Sequence, residues 1–185
     1  MRINCLSSDF FARPARDVAV DLIGVGFFVE GIGGQIVETE AYMRDDPASH
    51  SYRGATASNM AMFLGPGIAY VYRSYGLHWS FNIVCDPGSA VLVRALEPTT
   101  GISAMQSRRG NIPLRSLCAG PGNLTKALGI TGGHNLLPLT QAPFRFDARI
   151  GKPHVVSGPR VGLTKAIDEP FRFGLASSPF VSRRF

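Results

Sequence analysis

Gln35-Ile36-Val37-Glu38-Thr39-Glu40-Ala41-Tyr42 is an apolar, β-branched stretch with two carboxylates and an aromatic ring set into it. Read as an extended strand, its alternation places Ile36, Glu38, Glu40 and Tyr42 on one face and Val37, Thr39 and Ala41 on the other. Carboxylates are disfavoured in strands and costly to bury, so a strand carrying two of them holds them at a solvated face or for chemistry. The rest of the chain reads as a frame for this strand.

Upstream, Phe11, Ala15, Val18, Ala19 and Leu22 recur at roughly helical spacing. They predict one helix from Phe10 to Ile23, capped by Ser7, Ser8 or Asp9. Val25–Glu30 and Gln35–Tyr42 then form a hairpin about the connection Gly31-Ile32-Gly33-Gly34. Downstream, residues 43–61 lack an apolar period and carry Asp45, Asp46, His50, Arg53 and Asn59, the pattern of a polar working loop. Ile68–Tyr72 and Leu77–Val84 make a second hairpin, rich in aromatics, around Tyr75-Gly76.

Arg94 lies inside the short apolar strand Ala90–Leu96, where a buried cation needs a partner. Helices are predicted over Thr99–Arg109, with Arg108 and Arg109 at a solvated end, and over Asn123–Leu128. The preceding Gly120-Pro121-Gly122 suits a phosphate-holding loop or a plain helix entry equally. Phe144-Arg145-Phe146, residues 160–163 and residues 170–173 read as closing strands.

At 185 residues, 45% of them apolar and twelve of them Phe, the chain suits one domain over 1–185 with a substantial core. Its 21 Gly and 13 Pro call for many tight turns. The formal charge of +6 attracts polyanions, nucleic acid foremost. Cys5, Cys85 and Cys118 are odd in number and widely spaced, as expected of reduced, mostly buried thiols in a cytoplasmic protein. No secretion signal or apolar run of membrane-spanning length is expected to direct the chain elsewhere.

Three chemistries compete for the acidic strand. Glu38 and Glu40 with Asp45, Asp46 and His50 offer metal ligands, without a ligand spacing such as His-Glu-x-x-His. A pair of sugar-hydrolase carboxyls fits poorly, because residues i and i+2 of one strand lie roughly 7 Å apart with parallel side chains. A single water-activating carboxylate inside an aromatic wall is the third. Tyr42, His50, Tyr70, Tyr72, Tyr75 and Trp79 are concentrated in the same third of the chain. Tyr70 and Trp79 read as core rings, and Tyr75, at a turn, as exposed.

The ordered series Ile36–Tyr42, His50-Ser51, Gly65-Pro66-Gly67, Tyr70-Val71-Tyr72, Tyr75-Gly76, Asn82-Ile83, Val91–Pro98 and Cys118–Pro121 resembles the alkyladenine (3-methyladenine) DNA glycosylases. The resemblance runs from about Asp9 to Ser182. It implies an α+β fold: a single domain whose curved, mainly antiparallel β-sheet core is surrounded by short helices. It also implies a monomeric base excision repair enzyme, without metal or organic cofactor, that hydrolyses damaged purines from double-stranded DNA. By position, Glu40 would be the general base and Arg94 would place the water and the carboxylate. Tyr42, His50 and Tyr72 would enclose the flipped base, and Asn82 would exclude the amino group of guanine. Tyr75 would fill the gap in the duplex. A damage binder without catalysis and a hydrolase of free nucleosides or sugars are the alternatives.

Overall fold

The computed structural model describes residues 6–185, so the expectation for Cys5 lies outside the described residues. The chain is an α+β protein. Among the described residues eight strands form one curled antiparallel sheet: β1 (Gly26–Val29), β2 (Ile32–Tyr42), β3 (Ala69–Ser74), β4 (His78–Val84), β5 (Ala90–Thr100), β6 (Phe144–Asp147), β7 (Val155–Gly158) and β8 (Arg172–Leu175). The main path runs β3-β4-β5-β2-β1-β6, with β8 against β2 and β7 beyond it. Among the described residues four short α-helices pack around it: α1 (Ser8–Phe11), α2 (Ala15–Leu22), α3 (Ile102–Arg109) and α4 (Pro121–Leu128).

The helix expected over residues 10–23 is two helices, because Pro14 supplies no N–H donor and starts α2 afresh. No side chain caps α1, although Ser7 stands at its N-cap. The first hairpin turns at Glu30-Gly31, both with positive φ, so Gly33 and Gly34 belong to β2 rather than to a loop. They stay glycine for close approach: a Cβ would overlap the Phe27 carbonyl oxygen at Gly33 and that of Glu97 at Gly34. Gly34→Ala is therefore expected to cost about 2–3 kcal/mol. Calorimetry would read this as a fall in melting midpoint of about 5–10 °C.

β5 runs on to Thr100 because residues 97–100 still pair with Gly33–Gln35, and α3 begins only after Gly101, at φ +75°. Residues 160–163, expected as a strand, form a loop; β7 lies just before them. Arg108 and Arg109 are half-buried rather than solvated, donating to the carbonyls of Ala127, Leu117 and Ser116.

β2 is central because each of its edges is paired, one by β5 and the other by β1 and then β8. Three register shifts interrupt the β2–β5 ladder: Thr99 is an extra residue on β5 beside Gly33 and Gly34, and beyond it two bulges compensate each other, with Val37 extra on β2 and Arg94 extra on β5. The bulge corrects the expected alternation. Ile36 packs in the main apolar core with Ala41, and Thr39 donates to Ala19 of α2. Glu38, Glu40 and Tyr42 take the opposite face. The same face of β5, β4 and β3 presents Leu92 and Arg94, Ser80 and Asn82, and Tyr70 and Tyr72, while their neighbours Val91, Val93, Phe81, Ile83 and Val71 fill the core.

Candidate functional site

Strand register assembles the site. Tyr70 pairs with Asn82, Asn82 with Leu92, and Leu92 with Glu40, so these four form one row across β3, β4, β5 and β2. All seven residues assigned from the sequence line a single cavity of about 520 Å³: Glu40, Tyr42, His50, Tyr72, Tyr75, Asn82 and Arg94. That volume suits a small flat ligand, within the range of about 300–1,000 Å³ usual for such sites.

Glu40 has no solvent exposure. Its Oε1 accepts the Val161 N–H at 2.8 Å and faces Arg94 Nη1 at 3.2 Å; its Oε2 accepts the Tyr42 hydroxyl at 2.8 Å. An ionised carboxylate offers about four lone-pair directions, so one remains on Oε2. Burial first, and then the Glu40 charge, push the Tyr42 phenol well above its ordinary pKa, so it stays protonated and donates.

Arg94, the cation whose partner the sequence left open, spends all three nitrogens. Nε donates to Glu38 Oε1 at 3.2 Å, Nη1 faces Glu40, and Nη2 donates to Ser182 Oγ at 3.2 Å. Glu38, also without exposure, accepts in addition from Arg172 Nη1 at 3.0 Å and Ser182 N at 2.5 Å. Two carboxylates and two guanidiniums thus close a neutral buried network, and the solvated-face reading of the strand is overturned.

The opposite wall is aromatic. Tyr70 and Tyr72 stack with centroids 5.2 Å apart, and the His50 ring meets Tyr72 edge-on at 4.5 Å. Tyr70 is buried, as a core ring would be, yet its hydroxyl bonds His50 Nδ1 at 2.9 Å, so it also supports the wall. His50 is open to solvent on one side and enclosed on the other, and this partial burial lowers its pKa, favouring the neutral ring. Burial likewise raises the Tyr70 and Tyr72 phenols. Asn82 donates its amide to the Tyr70 carbonyl at 3.1 Å, which fixes its orientation in the cavity. Tyr75 is 88% exposed at the tip of the β3–β4 hairpin, with φ +50°.

Arg160 escaped the sequence reading. It is buried, grips Asp46 through both terminal nitrogens, donates to the Ala41 carbonyl and stacks 4.6 Å from the Tyr42 ring. It ties the loop carrying His50 to β2, and its neighbour Val161 caps Glu40. Arg172 escaped as well, although Phe171-Arg172-Phe173 carries the same signal as Arg94, a lone cation among apolar residues.

Of the carboxylates weighed as metal ligands, Glu38, Glu40 and Asp46 are taken by guanidiniums and Asp45 is exposed, and among the described residues no three His, Cys, Asp or Glu side chains converge on a metal-sized site. Cys85 and Cys118 are buried free thiols; burial raises both, Cys118 to about 12. No helix among the described residues is long and apolar enough to cross a membrane.

The family model for methylpurine-DNA glycosylase matches residues 9–179. The chain belongs to that family. Among its relatives, a protein of Rhizobium meliloti (strain 1021) is 58% identical over 177 residues, covering 96% of each chain. One of Rhodopseudomonas palustris (strain HaA2) is 58% identical over 95% of this chain and 89% of its own. A third, from Granulibacter bethesdensis, is 55% identical over 94% of this chain and 85% of its own. All three bear the provisional name of 3-methyladenine DNA glycosylase.

Proposed function

We propose that the chain is a base excision DNA glycosylase, acting as one domain and one monomer over residues 1–185. It everts alkylated or deaminated purines from duplex DNA and hydrolyses their N-glycosidic bond. The substrates are of the 3-methyladenine, 7-methylguanine, hypoxanthine and ethenoadenine class. The observation that carries this reading is Glu40: a fully buried carboxylate, held at both oxygens, that opens into an aromatic cavity on a basic protein.

Glu40 Oε2 holds the attacking water in its free lone-pair direction, takes its proton and offsets the positive charge growing on the sugar. Arg94 fixes Glu40 and keeps its charge in place. Tyr42, Tyr72 and His50 enclose the base. A purine made cationic by alkylation gains roughly 0.5–2 kcal/mol against such rings that a neutral purine does not. Asn82, on the wall of the cavity, excludes the exocyclic amino group of guanine. Weakened pairing at damaged bases lowers the cost of eversion. Among the described residues no lysine lines this cavity, which favours hydrolysis by water over an imine route that would also cut the strand.

The deciding experiment offers duplexes with single lesions to the protein, with chelator present. Release of free base from an intact strand is expected for at least one lesion. No release from any lesion, or release only with metal restored, overturns the reading. Tyr75 supplies a second check, since its ring fills the gap left by the everted nucleotide. Tyr75→Ala removes an exposed ring from a strained backbone, so stability should stay within about 0.5 kcal/mol of wild type. Its affinity for lesion-bearing duplex should fall about tenfold, because filling the gap offsets an unstacking cost of a few kcal/mol.

A further inference from the structure

Four tyrosines line the cavity, and Tyr42 differs from the others in what lies behind its ring. The Arg160 guanidinium sits 4.6 Å from the Tyr42 centroid, whereas among the described residues no cation stacks on Tyr70, Tyr72 or Tyr75. Arg160 has no side-chain exposure and takes no part in lining the cavity, so its charge lies on the face of Tyr42 turned away from a bound ligand. Phe171 flanks the same guanidinium at 5.4 Å.

The guanidinium is fixed in that place. Both terminal nitrogens hold Asp46, and Nη1 also donates at 3.0 Å to the carbonyl of Ala41, the residue before Tyr42. Its charge reaches the ring although Asp46 balances it: burial and the Glu40 charge raise the Tyr42 phenol, and Arg160 pulls against them. An aromatic face attracts a cation through the negative charge of its π cloud. A guanidinium already held on one face opposes, by Coulomb repulsion, a second cation on the other.

We propose that Arg160 is a specificity-determining residue: by backing Tyr42 with positive charge it lowers the pocket's preference for cationic purines, and so admits neutral damaged purines to the same site. The proposal rests on reading the cavity as the base pocket, with Tyr42 against the everted base. Within the proposed substrate class, 3-methyladenine is cationic in DNA, while hypoxanthine and ethenoadenine are neutral. A base stacked on Tyr42 lies about 8–10 Å from the guanidinium, where repulsion in a pocket of reduced dielectric is worth about fivefold once Asp46 is counted. Tyr72, with no cation behind it, keeps the attraction that holds a cationic purine. The two walls therefore divide the work, and the clasp between Arg160 and Asp46 sets the balance between them.

The test measures kcat/KM for release of 3-methyladenine from dimethyl sulfate-treated duplex and of hypoxanthine from a duplex carrying that base, and reads the ratio of the first to the second. Asp46→Asn combined with Arg160→Gln removes both charges of the clasp, and the ratio is expected to rise about fivefold. Asp46→Asn alone uncovers the guanidinium charge and should lower the ratio about threefold. Arg160→Lys keeps the charge and should leave the ratio within about twofold of wild type. A clasp that served only to hold the loop would change both rates alike in every variant. An unmoved ratio in the double variant, or a rise in Asp46→Asn, therefore overturns the proposal. Should the double variant fail to fold, the sign of the change in Asp46→Asn decides alone. Release of both bases by wild type with an unmoved ratio retires this proposal only, whereas release of neither retires the glycosylase reading and the proposal with it.

Discussion

Glu40→Gln is expected to bind lesion-bearing duplex near normally while its rate of base release falls by about 10³-fold, within the range a general base supplies. Glutamine keeps the size of the side chain and an oxygen for the Val161 N–H and Arg94. The Tyr42 hydroxyl, which now donates to Oε2, can turn and accept from the new amide. What disappears is the basic lone pair and the negative charge beside the sugar. Single-turnover release measured with enzyme in excess isolates that loss from binding. Release by Glu40→Gln at a rate near wild type would remove Glu40 from the mechanism.

Glu38→Gln has the largest effect expected on stability. Among the described residues Glu38 is the only carboxylate that meets both Arg94 and Arg172, and neutralising it leaves the buried network with one charge in excess. Breaking a buried ion pair from one side costs about 3–5 kcal/mol. At about 2–4 °C per kcal/mol for a chain of this size, the melting midpoint should drop by roughly 10–15 °C. The double variant Glu38→Gln, Arg172→Met restores neutrality, so it should melt above the sum of the two single losses. Strict additivity would show that the network is not electrostatically coupled. Base release should fall as well, because Arg94 loses the partner that holds its Nε while Nη1 faces Glu40.

The two variants separate what two carboxylates on one strand do. Their side chains leave the same face of β2 two residues apart, yet Glu40 opens into the aromatic cavity while Glu38 is enclosed by arginines and the Ser182 backbone. Nothing in Glu-Thr-Glu distinguishes them. The difference lies in what the sheet brings alongside: Arg172 across from Glu40 on β8, Arg94 in the bulge of β5, and the segment at Ser182.

Much of the frame follows from local patterns. The two hairpins, the polar loop of residues 43–61 and the buried strand around Arg94 are written in short-range alternation and turn chemistry, which act over a few residues and need no tertiary contact to be read. The exposed ring of Tyr75 follows equally from its place before Gly76. The bulges at Val37 and Arg94 do not, because they arise where two strands distant in sequence fail to match residue for residue. That mismatch moved Ile36 into the core and left the carboxylates on the other face.

By itself the sequence determined which side chains were out of place in an apolar strand: Glu38, Glu40 and Arg94, groups too costly to bury without a purpose. Only the tertiary structure decided their partners, the row from Tyr70 to Glu40 across four strands, and the grip of Arg160 on Asp46 over 114 residues of separation. The physical reason is that the cost of burying a charge belongs to the residue and can be read locally. The compensation for it belongs to whichever distant group the fold brings within hydrogen-bonding distance.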